Sequence, residues 1–145
     1  MSNLARSPIH LLRRAGLCAD HIFQTEMKEG KLTPRQLVVL VAVSQNEGLS
    51  QTDIVNRTGI DRWTLAEIVR RLTKKELLQQ RRTKEDARAY EVRLTDQGKR
   101  ILKTSEPLAK RVDERILAAL PVKQREQFLD KLASIVDTMQ KLTSV

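Results

Sequence analysis

The side chains of this protein best placed to do chemistry are cations. Positions 70 to 93 carry nine Lys or Arg, at 70, 71, 74, 75, 81, 82, 84, 88 and 93. Only four acids, at 76, 85, 86 and 91, stand among them. This local surplus of five is more than half of the net charge of +9, and the pI is ≈ 10.1. Concentrated positive charge suits a polyanion, either nucleic acid or an anionic membrane surface. The alternative is a solvated charged edge with no partner. Residues for catalysis or metal binding are sparse. His10 and His21 stand eleven residues apart, Cys18 is the single cysteine, and there is no Gly-rich phosphate loop, His-x-x-x-His or Cys-x-x-Cys pair, or Gly-x-Ser-x-Gly elbow. Neither an enzyme nor a bound cofactor or metal is expected.

The elements that carry these cations can be read from local pattern. In "RRTKEDARAYEVRLT", residues 81–95, Tyr90, Val92 and Leu94 alternate with Glu91 and Arg93. This predicts a hairpin with strands near 77–82 and 88–94, joined by Thr83 to Ala87. Upstream, "SQTD" at 50–53 has the form of a capping box. It opens a short helix that turns Ile54 and Val55 inward and stops near Gly59. Asp61 then caps a second helix with Leu65, Ile68, Val69 and Leu72 on one face. Trp63, Glu67, Arg70 and Lys74 consequently face outward, with Arg62 and Ala66 at the flanks. A helix pair followed by an arginine-rich hairpin is a winged helix-turn-helix, whose second helix enters the DNA major groove. The DNA-facing residues on this reading are Arg62, Trp63, Thr64, Glu67, Arg70 and Lys74. Arg81, Arg82, Lys84 and Arg93 would neutralise phosphates, and Arg88 at the hairpin tip would reach the adjacent minor groove. Asp86 would repel DNA, so it is expected to shape the wing by pairing with an arginine.

The rest of the chain reads as helix. Ser7-Pro8 marks a start, with Leu11, Leu12, Ala15, Cys18, Ala19, Ile22 and Phe23 at helical spacing and an end near Glu29, closed by Gly30. Thr33-Pro34 caps a helix through Leu37, Leu40, Val41 and Val43 to a turn at Asn46–Gly48. Its "LVVLVAV" also fits a strand, but the cap and the length favour a buried helix. Thr95 caps a long helix through Ile101, Leu102, Leu108, Val112 and Leu117, with Pro107 as a candidate kink. Pro121 opens a last helix bearing Phe128, Leu132, Ile135, Val136 and Met139. The 145 residues suit a single domain, 1–145, with a core of Leu, Ile, Val and Ala, since aromatics are only 3%. One cysteine excludes an internal disulfide and fits a reducing compartment. No apolar run approaches ~18 residues, and the N-terminus lacks a signal-peptide pattern. A cytoplasmic protein with no membrane partner is expected.

"LTPRQLVVLVAV", "LSQTDIVNRTGIDRWTLAEIVRRL" and "RRTKEDARAYEVRLTDQGKRIL" resemble the MarR family of bacterial transcription regulators. The resemblance runs from about residue 8 to 142. Its most specific part is Asp86-x-Arg88-Ala89 followed by "RLTDQGK". It implies a mainly α fold with a small β-hairpin wing, a DNA-binding region at 33–95, and dimerisation helices at 8–30 and 96–144. It also implies an obligate homodimer on a pseudo-palindromic double-stranded operator, acting as a repressor released by a small organic anion. Some relatives with a start like "HLLRRAGLCADHIF" respond to aromatic carboxylates or their coenzyme A thioesters. That makes His10, Arg13 and Arg14 candidate effector-binding cations; the alternative is a solvated face or intersubunit ion pairs.

The chain also departs from the family pattern. Many relatives have a small residue in place of Trp63, and Thr and Arg in place of Ala66 and Glu67. Trp63 either packs on a thymine methyl or sugar or folds back against the wing. Glu67 either accepts from cytosine N4 or, the favoured reading, pairs with Arg70 or Arg71. Cys18 is either a redox sensor, as in some relatives, or, the favoured reading, a buried structural thiol. A sequence-tolerant architectural DNA-binding protein and a protein–protein adaptor that uses the winged fold without DNA are the remaining alternatives.

Overall fold

The computed structural model describes residues 3–27, 32–86 and 89–143. After a short 3-10 turn at Leu4–Arg6 come α1 (Pro8–Glu26), α2 (Pro34–Gln45), α3 (Gln51–Thr58) and α4 (Arg62–Lys74). Strands β1 (Leu78–Arg82) and β2 (Tyr90–Leu94) follow, then α5 (Asp96–Leu117) and α6 (Val122–Thr143). This is a winged helix-turn-helix with a two-stranded antiparallel wing, paired in register from Leu78↔Leu94 to Arg82↔Tyr90.

Helix starts are set by side chains that satisfy otherwise unpaired backbone N–H groups. Ser50 Oγ accepts from Asp53 N, and Asp53 Oδ2 accepts from Ser50 N, both at 3.1 Å. Thr33 and Gln36 form the same reciprocal pair, also at 3.1 Å. The Gln36 half of that box is buried. Ser7 occupies the N-cap position of α1, but its side chain makes no capping bond; Pro8 in the first turn marks the start instead. Gly59 ends α3 in the left-handed region, at φ 73. Its α-carbon also lies close to the Gln140 amide, so the far end of α6 reaches the turn between α3 and α4.

Several boundaries differ from the sequence reading. α1 ends at Glu26 rather than Glu29, and Gly30 lies outside the described residues. Leu77 is not a strand residue. Its N–H reaches back to Leu72 O at 2.9 Å, and Glu76 before it has φ 62, so the chain makes a tight bend into β1. β2 begins at Tyr90, while Ala87 and Arg88 lie outside the described residues. The sheet gains a rung that local pattern did not suggest. Val92 N donates to Leu49 O at 2.8 Å, which ties the α2–α3 link to the wing. Pro107 sits inside α5, which nonetheless runs without a break to Leu117.

The core joins these elements. Leu40 and Val43 of α2, Ile54 of α3, Leu65, Val69 and Leu72 of α4, and Leu78 and Val92 of the wing are completely buried. Phe23, Leu102 and Val112 extend it to α1 and α5. Glu26 braces the same junction, 3.2 Å from Arg115 and 3.8 Å from Arg111. Much of the remaining apolar surface on the outer helices stays open. Ile9, Leu11, Leu12 and Leu17 of α1 are exposed, as are Phe128, Leu129, Ile135, Val136 and Met139 of α6. No described residue of α6 is buried. Cys18 is exposed too, which corrects the expectation of a buried thiol. The reason is that α1 meets the core through its last turns, at Ile22 and Phe23, with Met27 just beyond its end, leaving its earlier stripe uncovered.

The end of the wing is locked to α5. Thr95 N donates to Leu77 O at 3.1 Å, and Thr95 Oγ1 donates to Glu76 O at 2.6 Å while accepting from Gly98 N at 2.9 Å. Gly98 packs flush on this bend, and a Cβ there would run into the Leu77 carbonyl oxygen. Backbone cannot give way as a flexible side chain can. Gly98→Ala is therefore expected to destabilise the fold by ~1–3 kcal/mol, the usual penalty for overpacking. Urea unfolding of the two proteins measures it; equal midpoints would mean that the bend opens at no cost.

Candidate nucleic-acid interface

The outward face of α4 is assembled from its cap onward. Asp61 Oδ1 accepts from Thr64 N and Asp61 Oδ2 from the Thr64 hydroxyl, each at 2.8 Å. Thr64, expected to face DNA, is thus half-buried with its hydroxyl proton committed to the cap. Arg62 donates from Nη1 to Thr52 Oγ1 at 3.0 Å, joining the first turns of the two short helices. Trp63 is 87% exposed and does not fold back on the wing. Leaving so large an apolar ring in water is costly, and a binding surface is the usual reason for it. Lys74 is exposed in the last turn.

Glu67 holds two arginines. Its Oε2 accepts from Arg70 Nε at 3.0 Å, and its Oε1 accepts from Arg70 Nη2 at 2.7 Å and Arg71 Nε at 2.9 Å. This is the pairing favoured by the spacing of three and four residues. These hydrogen bonds, from Arg70 first and Arg71 second, pull the Glu67 carboxyl down to about 2. It is ionised throughout the physiological range.

In the wing, Arg81, Arg82 and Lys84 are all exposed, as expected of phosphate ligands. Arg82 is held against Tyr90, with its guanidinium carbon 5.8 Å from the ring centroid and Nε 3.4 Å from the phenol oxygen. Arg93 plays a different part from the one expected. It donates to Glu91 at 2.7 Å and to Glu47 at 3.2 Å, and Lys99 lies 4.0 Å from Glu47. These pairs tie β2 to the α2–α3 link and the start of α5, so Arg93 is occupied within the protein. The turn is shaped by Thr83, which sequence reasoning missed. Its Oγ1 accepts from Asp86 N at 3.0 Å and donates to Asp86 O at 2.7 Å. A hydroxyl three residues before an aspartate at a strand end was the available signal. Asp86 also accepts at its carbonyl from Ala89 N at 3.0 Å. Arg88, the expected minor-groove residue, lies outside the described residues.

Among the described residues, two of the clefts meet α1. The larger, about 600 Å³, lies between Asp20 of α1, Thr33–Gln36 at the start of α2, and Trp63, Thr64, Glu67, Ile68 and Arg71 of α4. The smaller, about 350 Å³, is lined by Leu12, Arg13, Gly16, Leu17 and Asp20. Of the three suggested effector cations, Arg13 lines the smaller cleft, whereas half-buried His10 and exposed Arg14 line neither. Arg35 in the larger cleft was not anticipated.

Comparison with known proteins decides the family. The MarR family model matches residues 31–89. The transcriptional repressor NicR of Pseudomonas putida is 32% identical over 129 residues, covering 89% of this chain and 82% of NicR. The chain belongs to the MarR family. This MarR-family protein is a DNA-binding transcription regulator by membership. Its fold superimposes on that of Bordetella bronchiseptica BpsR, whose DNA binding is regulated by 6-hydroxynicotinic acid. The TM-score is 0.86 at 29% identity, over 93% of this chain and 98% of BpsR. The repressor CouR, solved on a 23-mer DNA duplex, gives a TM-score of 0.85 at 30% identity, over 94% of this chain and 96% of CouR. No helix among the described residues is long and apolar enough to cross a membrane.

The caps of this MarR-family head make its stability depend on pH. Asp61 is lowered by hydrogen bonds from Thr64, Asp53 by hydrogen bonds from Ser50, and Glu67 by Arg70 and Arg71. A carboxylate that is more acidic folded than unfolded stabilises the fold above its unfolded value of ~4. That contribution is lost as pH falls through the folded value. The thermal midpoint should therefore drop between about pH 4.5 and 2. The drop should be smaller in Asp61→Asn, which keeps a capping oxygen but has no proton to take up.

Proposed function

We propose that this chain is a homodimeric repressor of the bacterial cytoplasm. It binds a pseudo-palindromic operator and is released by a small aromatic carboxylate, free or as its coenzyme A thioester. The reading rests above all on α4, whose buried face anchors it in the core, whose opposite face carries Trp63, Arg70 and Lys74, and whose flank, from Trp63 through Glu67 to Arg71, walls the larger cleft. A ligand in that cleft would touch the helix that reads DNA.

Dimerisation through α1, α5 and α6, roughly residues 8–30 and 96–144, is supported by the exposed apolar residues of α1 and α6. Each aliphatic side chain covered is worth roughly 1.5–3 kcal/mol, which makes a second copy of the same helices a favourable cover. The region 33–95 then supplies one reading head per subunit. Heads on successive major grooves stand ~34–36 Å apart, so a modest rotation forfeits one half-site. Ligand and operator each favour one of two head spacings, and each weakens the binding of the other.

NicR is a repressor and BpsR answers to 6-hydroxynicotinic acid, which supports an aromatic acid as effector. Its carboxylate needs a cation beside an apolar wall. Arg13 has Leu12 and Leu17 as neighbours, and Arg35 faces a cleft walled by Trp63 and Ile68. His10 and Arg14 join Arg13 only if the partner subunit closes over α1. Cys18, exposed in the single chain, supports a second reading, release by oxidation, if the second copy leaves it open; loss of peroxide-induced release in Cys18→Ser would favour it.

Sedimentation should give a dimer at every concentration where the chain is folded. Duplex affinity should fall steeply with salt, and a selected operator should bind at least ~10³-fold more tightly than random duplex. Equal affinity for both would establish a sequence-tolerant architectural protein instead. In an effector titration with 6-hydroxynicotinic acid, Arg13→Ala or Arg35→Ala should raise the concentration needed for release about tenfold or more. Release unchanged in both variants would remove these cations from the site.

A further inference from the structure

Arg70 presents an unusual arrangement of donors. A guanidinium has five N–H groups on two usable edges, one formed by Nε and Nη2 and the other by Nη1 and Nη2. Glu67 takes the first edge with a two-point contact, at 3.0 Å to Nε and 2.7 Å to Nη2. The second edge is left with two parallel N–H groups, the pattern that matches guanine O6 and N7 in the major groove. Arg70 and Glu67 lie opposite the buried stripe of α4, beside exposed Trp63. Both Glu67 oxygens are engaged, and Oε1 also accepts from Arg71 at 2.9 Å.

We propose that Glu67 is a specificity-determining residue that acts through Arg70, presetting it as a fork for one guanine in each operator half-site. Two effects follow from one carboxylate. Arg70 is held before it meets DNA, so it loses less side-chain freedom on docking than an unrestrained arginine does. The same carboxylate cancels one positive charge on the reading face, which weakens attraction to phosphates of any sequence. Specificity is a difference between affinities, and both effects widen it. Glu67 is therefore a positioning residue, and the base contact belongs to Arg70. The inference rests on α4 being the groove-reading helix, as proposed above.

The test is selection from a randomised duplex pool at fixed salt, using the full-length wild type, Glu67→Gln, Arg70→Ala and the double variant. Titrations on the selected and a scrambled duplex follow. Wild type should select a guanine at one position per half-site, and Arg70→Ala should lose that preference. Glu67→Gln keeps the shape without the charge, and it should lose ~5-fold or more of the preference at the same position, within the range of one bidentate base contact. It should bind the scrambled duplex as well as wild type or better. The double variant should match Arg70→Ala in base preference, because the two residues act as one unit. Arg70 is exposed and Glu67 half-buried at the surface, and circular dichroism verifies the fold of all three variants. A Glu67→Gln protein that binds both duplexes more tightly by one factor, with its preference intact, would reduce Glu67 to a passive neutraliser. Loss of a cytosine at a position that Arg70→Ala leaves untouched would show Glu67 reading a base itself. Both results overturn the proposal while leaving α4 in the groove. A wild type with no base preference overturns the groove reading and this inference together.

Discussion

The carbonyl oxygen of Leu77 is the point that fixes the wing against α5. It accepts from Thr95 N, and Gly98 lies flush against it. The hairpin thus leaves α4 and enters α5 at nearly the same point. Leu78 pairs with Leu94 one residue further along, so the base of the wing is closed by backbone bonds, with the Thr95 hydroxyl on Glu76 O beside them. Backbone contact this close leaves little room for the wing to pivot against α5. A change in the orientation of α5 is therefore passed to the wing nearly intact. A head whose position is to be switched by a remote ligand needs such stiffness at this point.

Beyond that point, the wing is tied on its other side. The Leu49–Val92 rung and the chain of charges from Glu91 through Arg93 to Glu47 bind the sheet to the α2–α3 link. Helix-turn-helix and wing consequently share one core, with Ile54, Leu65 and Val92 all completely buried. The outer helices are different. Their apolar faces are open in the single chain, and Cys18 is open with them. Polar order concentrates in the head and uncovered apolar surface in α1 and α6, a division that suits one part for recognition and the other for association.

What could be read from the sequence follows the range of the interactions. Ser50 with Asp53, Asp61 with Thr64, Thr95 with Gly98 and Gly59 at the end of α3 are contacts within one turn, and each helix start they mark is found at its expected place. The Glu67 pairing with Arg70 and Arg71 was legible for the same reason. The tie from Arg93 to Glu47 was not, because the two are 46 residues apart and only the folded chain brings Glu47 beside the Arg93–Glu91 pair. The Val92 rung to Leu49 is hidden in the same way. Cys18 misled because helical spacing identifies an apolar stripe without saying what covers it. The Arg35 cleft depends on how α1, α2 and α4 pack, which no local pattern contains.

The exposed indole of Trp63 has a practical meaning. It is the only tryptophan in the chain, so ultraviolet excitation at the red edge of protein absorption addresses a single site. That site sits on α4 with 87% of its surface in water. Its emission is therefore that of a solvated indole, and the signal responds to whatever approaches this helix. The protein carries its own optical reporter on the face that matters, with no label to attach and no second tryptophan to subtract.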